Sequence, residues 1–217
     1  MKSLQRADLL SLEDYEQQRP AFRQRVMAEK NRRRVSLSKH LTVLFENRLS
    51  VQYQVQEMLR AERIFDPAGI AAELDTYNPL IPDGTNLKAT LLIEYTDVAQ
   101  RRRALAELVG IEHKIWLQVA ELPRVFAIAD EDLPRANEEK TSAVHFLRFE
   151  LTQAMRRAMH ARDAIAMGVD HPACPCLICA LDPPLARALS EDFEPVLLTE
   201  GADQDRIQFS NFSPSIR

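Results

Sequence analysis

The residues best suited to chemistry form a cluster near the carboxyl end of the chain: His171, Cys174, Cys176 and Cys179. Thiolate sulfur and imidazole nitrogen are the ligands that zinc prefers, and four of them complete a tetrahedral structural site. Iron–sulfur ligation is a second metal chemistry open to the same residues. A second C-x-x-C pair is missing, so a redox or regulatory thiol pair and inert cysteines stay open as alternatives. The spacing therefore predicts zinc or iron at these four side chains, beside those two other interpretations.

A second group of polar residues joins a predicted helix, residues 40–65, to the loop and strand of residues 77–95. Polar residues recur on one face of the helix at helical spacing, and others occupy alternate positions of the strand. If the two faces meet, they form a charged pocket that orients a small anionic substrate or tunes a carboxylate as acid or base. A structural ion-pair network or a solvated helix face gives the same pattern. The predicted pocket consists of Tyr53, Glu57, Arg60, Asp83, Asn86, Lys88 and Glu94.

Several common chemistries lack their motifs in this sequence. The five glycines are too widely spaced for a P-loop or a dinucleotide fingerprint, so we expect no nucleotide cofactor of the P-loop or Rossmann type. The G-x-S-x-G elbow of serine hydrolases and the Glu-x-x-His pairs of di-iron bundles do not occur. His145 shares a predicted strand face with Leu147 and Phe149, which favours a hydrogen-bonded core histidine over a metal ligand.

Charge is distributed unevenly along the 217 residues, whose formal net charge is −4. Residues 1–40 hold ten Lys and Arg against five Asp and Glu. Such a region can bind nucleic acid or an acidic partner, but a solvated helix face is commoner. Without interleaved aromatic residues, nucleic-acid binding ranks last among the candidate functions. The sequence has no apolar run near the ~20 residues of a membrane span and no signal-peptide core, so we expect a cytoplasmic protein without a membrane partner. A homodimer is left open.

Hydrophobic periodicity predicts an α+β fold. Helical spacing dominates the first 80 residues, and alternation with period two begins at Lys88. The predicted strands comprise residues 88–95, 114–119, 124–129, 142–151 and 164–169, with helices at 97–109 and 152–162. Because most helices precede the strands, we expect amino-terminal helices packed on a mostly antiparallel or mixed sheet of about five strands.

The same pattern predicts one α+β domain over residues 1–171. Its helical part covers residues 1–80 and its sheet part residues 86–171. Residues 172–217 are rich in Cys, Pro and acidic residues, and we expect a carboxyl-terminal extension there, with one further strand at 206–212.

Five segments of the chain resemble a bacterial family. They read RADLLSLEDYEQQRPAFR, LTVLFENRLSVQYQVQEMLRAERIF, LDTYNPLIPDGTNLKATLLIEY, ADEDLPRANEEKTSAVHFLRFEL and VDHP. In this order, over residues 4–172, they resemble the family catalogued as domain-of-unknown-function family 3501. The cysteine-rich residues after VDHP depart from that pattern, so the resemblance implies that a metal site there is peculiar to this protein.

The resemblance implies a setting rather than an activity. Members of that family are often encoded beside rubrerythrin-like proteins and iron–sulfur oxidoreductases, which implies by association a role near iron or peroxide. We therefore expect an accessory or metal-binding protein of a redox or peroxide-defence system, with one of those two proteins as its partner. An enzyme acting on a small anionic substrate in the charged pocket is the alternative function, so enzymatic activity is left open.

Overall fold

Six α-helices lie in the part of the chain that the computed structural model describes, residues 2–178 and 180–194. They are α1 (Leu12–Arg32), α2 (Arg48–Glu62), α3 (Pro67–Tyr77), α4 (Val98–Glu107), α5 (Gln153–His160) and α6 (Pro183–Ser190). Side-chain caps fix several starts: Ser11 accepts the Asp14 N–H before α1, and Asn47 accepts the Ser50 N–H before α2. α1 continues through Pro20 as one helix.

Nine strands in two sheets accompany the helices over the same residues. They are β1 (Arg34–Ser38), β2 (Leu41–Phe45), β3 (Asn86–Ile93), β4 (Ile115–Val119), β5 (Val125–Phe126), β6 (Ile128–Ala129), β7 (Val144–Glu150), β8 (Ile165–Val169) and β9 (Cys176–Ile178). One sheet has the order β1-β2-β3-β7-β6 and the other β5-β4-β8-β9, and every neighbouring pair is antiparallel. The predicted α+β class is confirmed, but the strands expected in one sheet divide between two: β3 and β7 lie in the five-stranded sheet, and β4 and β8 lie in the four-stranded one.

The hairpin of β1 and β2 corrects the predicted helix of residues 40–65, which begins only at Arg48. Leu41, Leu44 and Phe45 have helical spacing, but the alternation Leu41, Val43, Phe45 also suits a strand, and these three side chains are buried. β-branched Thr42 and Val43 fit a pleated surface better than a helix. Pairing of β2 with β3 decides between the two readings, because it buries this face in the core.

The main core lies between the two sheets. Its largest contributions come from inward-facing side chains of β2, β3, β4, β7 and β8, including Val43, Phe45, Leu87, Leu91, Ile115, Leu117, Phe149 and Met167. At one edge, residues 125–129 pass from the second sheet to the first, and the Ala127 N–H donates to the Ile115 carbonyl at 2.9 Å. At the opposite edge β1 lies beside β9. The two sheets therefore meet at both edges and enclose the core between them.

A smaller apolar cluster lies among α2, α3 and the amino-terminal residues. Val55 and Leu59 of α2, Ile70 and Leu74 of α3, and Leu4 pack together there. Hydrophobic burial of this kind contributes about 1.5–3 kcal/mol per large side chain. The cluster explains why α2 carries an apolar face as well as a polar one.

The packing continues across residue 171, where the sequence predicts the end of the domain. β9 pairs with β8, and Leu185, Leu189 and Phe193 are buried in the main core. The buried guanidinium of Arg33 pairs with Asp192, which ties the end of α6 to the junction of α1 and β1. The strand predicted at 206–212 lies outside the described residues.

Candidate functional site

Both ring nitrogens of His171 hydrogen-bond to the backbone. Its ring is buried, with Nε2 3.1 Å from the Val109 carbonyl and Nδ1 accepting the Ala173 N–H at 3.2 Å. Because both nitrogens are used by the backbone, a metal at this ring would require His171 to give up one of these bonds. The structure therefore assigns His171 to fixing the loop that follows β8.

Cys174 lies in the connection between β8 and β9, and Cys176 is the first residue of β9. Both are free, half-buried thiols. The Cys176 Sγ donates to the Leu37 carbonyl of β1. Burial raises the pKa of the Cys176 thiol, and the nearby Cys174 adds to the rise. Cys174 lines a small pocket of about 80 Å³ together with His40, Tyr95 and Glu107.

A metal centre at these residues stays a prediction. Over residues 2–178 and 180–194, no group of three or more His, Cys, Asp and Glu side chains is arranged to hold a metal ion. Cys179, one of the four predicted ligands, lies outside the described residues. A site with four ligands would combine Cys179 with the thiols of Cys174 and Cys176 and with a His171 ring that has left the Val109 carbonyl.

The residues predicted to form a charged pocket do not form one cluster but divide among three places. The first is the interface of α1 and α2. Glu57 accepts bonds from Tyr15 Oη at 2.6 Å and from Arg19 Nε and Nη2 at 2.7 and 2.8 Å. Arg19 is the main cause that lowers the pKa of Glu57 to about 2, and Tyr15 assists.

The other helical members of the predicted pocket lie at the same interface. Arg60 pairs with Glu16 at 2.5 Å, and the Tyr53 ring stacks on Phe22 with centroids 6.2 Å apart. Both partners belong to α1, so α1 covers the polar face of α2. The pattern on α2 is thus the structural ion-pair network that the sequence left open.

The second place is the start of β3. The Asp83 carboxylate accepts the Thr85 N–H at 2.8 Å and the Asn86 amide at 2.8 Å, which closes the turn before the strand. Lys88 is half-buried in a cleft of about 60 Å³ beside Phe146 and Arg148. Burial, followed by repulsion from Arg148, lowers the pKa of Lys88.

The charge around this cleft is not that of an anion site. Arg148 binds Glu131 at 2.7 Å and also pairs with Glu150. With Asp83 nearby, three carboxylates surround the two cations Lys88 and Arg148. The local balance is acidic, so the cleft offers little net attraction to a small anionic substrate.

The third place is the far end of β3, where Glu94 accepts Thr42 Oγ1 at 2.7 Å and pairs with the exposed Arg34 at 2.9 Å. Lys88 and Glu94 share a strand phase, as predicted, but a strand rises about 3.3 Å per residue, so the six-residue interval separates them by about 20 Å. The predicted single pocket is therefore corrected: its members share faces but not a location.

A buried network of polar side chains around His145 links the sheets to the segment 130–141. His145 Nδ1 lies 2.5 Å from Asp130 Oδ2, and Nε2 lies 2.8 Å from Thr141 Oγ1, which donates to Glu112 at 3.1 Å. The order hydroxyl, imidazole, carboxylate resembles a nucleophile with its base and orienting acid. Thr141 is only 2% exposed, however, so no substrate reaches its hydroxyl. The network holds the segment against β7.

The sequence predicts that His145 is a hydrogen-bonded core residue but does not indicate its three partners. Glu112 lies between α4 and β4, whereas Asp130 and Thr141 lie near the two ends of the connection between β6 and β7, and no local pattern marks the three as partners of His145. A buried polar network needs every member satisfied, and only the fold shows which members meet.

The basic amino-terminal region is partly neutralised by contacts within the molecule. Arg19 pairs with Glu57, Arg32 with Glu29, Arg33 with Asp192 and Arg34 with Glu94. These contacts interrupt the excess of positive charge that nucleic-acid binding would use. No helix in the described part of the chain is both long and apolar enough to cross a bilayer.

Comparison with known proteins supports the resemblance in the sequence. The model of a family described as "Protein of unknown function (DUF3501)" matches residues 3–193. The chain belongs to this family. No curated protein matches it. A crystal structure of a novel protein of unknown function from Burkholderia pseudomallei K96243 is 51% identical, with a TM-score of 0.85, and the alignment covers 89% of this chain and 100% of that one.

The DUF3501 match extends farther than the resemblance predicted. It continues past residue 172 to residue 193 and so includes Cys174, Cys176 and α6. This agrees with the packing of β9 and α6 into the main core. The thiols accordingly lie inside the part of the chain that the family model matches.

Proposed function

We propose that this DUF3501 protein is a redox-associated accessory protein that acts through the thiol pair Cys174 and Cys176. The observation that carries the proposal is the placement of two free, half-buried thiols two residues apart at the connection between two strands. They lie close enough for Cys174 to influence the titration of Cys176. Adjacent thiols of this kind can close a disulfide when they meet an oxidant.

The chemistry is a two-electron oxidation of the pair by a hydroperoxide. One thiol sulfur attacks the peroxide oxygen, which forms a sulfenic acid and releases an alcohol or water. The second thiol then displaces water from the sulfenic acid, and the disulfide forms. Two thiols and one hydroperoxide thus give one disulfide, one water and one alcohol or second water.

The family resemblance suggests the class of partner protein for this thiol chemistry. Iron–sulfur oxidoreductases and rubrerythrin-like proteins handle electrons and peroxide, and one of them is the partner class we propose. This link is an association, and it supports a setting for the thiols rather than a catalytic role. An accessory role also suits the charged residues, which form structural pairs and an acidic cleft rather than a substrate pocket.

Metal binding is the main competing use of the same sulfurs. Zinc or iron would take Cys174 and Cys176 with Cys179, and His171 would have to leave the Val109 carbonyl. The thiol reading needs no such rearrangement of His171.

The test combines metal analysis with thiol counting on protein purified in reductant without added metal. We expect less than stoichiometric zinc and iron, and a loss of two thiols per peroxide consumed when hydrogen peroxide is added after the reductant is removed. Cys174→Ser and Cys176→Ser should each abolish disulfide formation, whereas the matched control Cys179→Ser should retain it. Peptide mass spectrometry identifies the linked residues.

Two results would contradict the proposal. Stoichiometric zinc or iron that is lost on Cys174→Ser replacement would assign the sulfurs to a metal centre. Thiols that stay reduced at a small excess of peroxide would leave the pair without redox function.

A further inference from the structure

The two sheets meet near the thiols where β1 lies beside β9, and we call this contact the seam. β1 is irregular here: Ser36 pairs with Thr42 and Ser38 pairs with Leu41, which leaves Leu37 without a partner on β2. Such a bulge disrupts the ladder locally. The Leu37 side chain is 5% exposed, so its backbone lies at a largely buried position.

The side chain of Cys176 bridges this seam. Its Sγ donates to the Leu37 carbonyl, while the backbone of β9 pairs with β8 on the other side. Among the described residues, no backbone hydrogen bond joins β1 to β9. β9 has only three residues, and Cys176 and Ile178 also pack against the cluster that contains Leu37, so the side-chain bond adds to a short line of apolar contacts.

Only the thiol form of Cys176 can make this contact. A disulfide sulfur carries no hydrogen, so the donor disappears when Cys176 is oxidised. A buried carbonyl that loses its donor is costly, which favours a looser arrangement that admits water.

We propose that closure of a Cys174–Cys176 disulfide by a hydroperoxide opens the seam between β1 and β9, so that the protein reports its redox state through the separation of its two sheets. The inference rests on the proposed function, because it requires these thiols to be oxidised. The reaction is the one given above, in which two thiols and one hydroperoxide yield a disulfide, water and an alcohol or second water.

Opening the seam uncovers apolar surface that the reduced protein keeps covered. Leu37 belongs to the main core, and Cys174 and Cys176 pack against the same cluster. The pocket beside Cys174 extends this surface to Leu41 and Leu108. A partner that binds the oxidised form would therefore recognise an apolar strip along β1, which solvent-exposed sheet edges otherwise avoid.

Hydrogen exchange measured by mass spectrometry tests the seam directly. We expect amides of peptides covering 34–38 and 176–178 to exchange about tenfold faster in the peroxide-treated wild-type protein than in the reduced one. Peptides of β3 and α2 serve as internal references and should not change. The disulfide content of each sample is measured on the same material.

Two substitutions separate the hydrogen bond from the oxidation. Cys176→Ala removes the donor, so its seam should exchange fast with or without peroxide. Cys176→Ser keeps a hydroxyl donor, so its seam should exchange as slowly as that of the reduced wild-type protein, with or without peroxide. Cys174→Ser retains the Cys176 thiol without its disulfide partner, and its seam should stay slow at one equivalent of peroxide.

The outcomes distinguish failure of the inference from failure of the proposed function. Slow exchange in wild-type protein with a verified disulfide would overturn the seam inference and leave the redox function standing. Absence of the disulfide would overturn both, whatever Cys176→Ala does to exchange. Slow exchange in Cys176→Ala would also overturn the inference, because the Leu37 contact would then not hold the seam.

Discussion

Glu57 shows how one residue on the polar face of α2 serves the fold. Tyr15 and Arg19 of α1 provide three hydrogen bonds to its carboxylate, two of them from the same guanidinium. Such bidentate pairs are stronger and more directional than single contacts. The carboxylate therefore positions α1 on α2, and the polar stripe is explained without a substrate.

Replacing Glu57 with Gln should reduce the free energy of unfolding by about 1–3 kcal/mol at pH 7, because the charge-assisted bonds to its carboxylate are weakened. The pKa of this carboxyl falls from 4.5 to about 2 on folding, so the stability it contributes is present above pH 4.5 and is lost as the pH falls towards 2. Urea midpoints from pH 7 to pH 2.5 measure both effects.

The difference between wild-type protein and Glu57→Gln should shrink as the pH falls through this window. Glu62→Gln is the matched control, since Glu62 is exposed at the end of the same helix. An equal loss in the control, or a difference that does not depend on pH, would contradict the role of the Arg19 pair.

At the level of elements, the amino-terminal residues form a strap that amide side chains hold across α2 and α3. Asn78 accepts the Leu4 N–H at 2.7 Å and donates to the Leu4 carbonyl at 3.0 Å. Gln56 accepts the Leu10 N–H at 2.6 Å, and Gln52 donates to the Asp8 carbonyl at 2.6 Å. These bonds satisfy backbone groups that have no strand or helix of their own.

Gln56→Ala should loosen the strap and reduce the free energy of unfolding by about 1–3 kcal/mol, because the Leu10 amide loses its acceptor. Gln56 is fully buried, whereas Gln54 is exposed on the same helix, so Gln54→Ala is the control. Limited proteolysis of residues 2–10 and denaturant unfolding measure the change. Equal protection of the strap in both variants would show that the apolar anchor Leu4 suffices.

For the whole molecule, the buried pair of Arg33 and Asp192 joins the end of α6 to the junction of α1 and β1. Arg33 is 1% exposed and also donates to the carbonyls of Ala188 at 2.9 Å and Phe45 at 3.2 Å. These contacts fix α6 against the start of the first sheet. Residues after 171 are thus held by charge as well as by apolar packing.

Arg33→Met should destabilise the protein by about 3–5 kcal/mol, because it leaves the Asp192 carboxylate buried and unpaired. Adding Asp192→Leu should recover much of that loss, since an apolar pair of similar volume removes the desolvation penalty. Arg32→Met is the control, because Arg32 is 47% exposed. A double variant as unstable as the single one would show that the carbonyl contacts of Arg33 matter more than its ion pair.

Local patterns determined much of the fold. Alternation predicted β3 and β7 to within a few residues, because alternate side chains of each strand face the core. The sequence also predicted α4, since Asp97 caps its start and Gly110, with φ 83°, follows its end.

The α+β class and the polarity of single faces follow from local patterns, because they depend on residues a few positions apart. That residues 34–45 form a hairpin follows from the packing instead, since pairing with β3 outweighs a helical spacing. The packing also decided which polar residues meet. Glu57 faces α1, Lys88 and Glu94 are spread along one strand, and Cys176 reaches a bulge on β1 that lies 139 positions away in the chain. Contacts over such separations depend on how elements pack, and no local spacing encodes them.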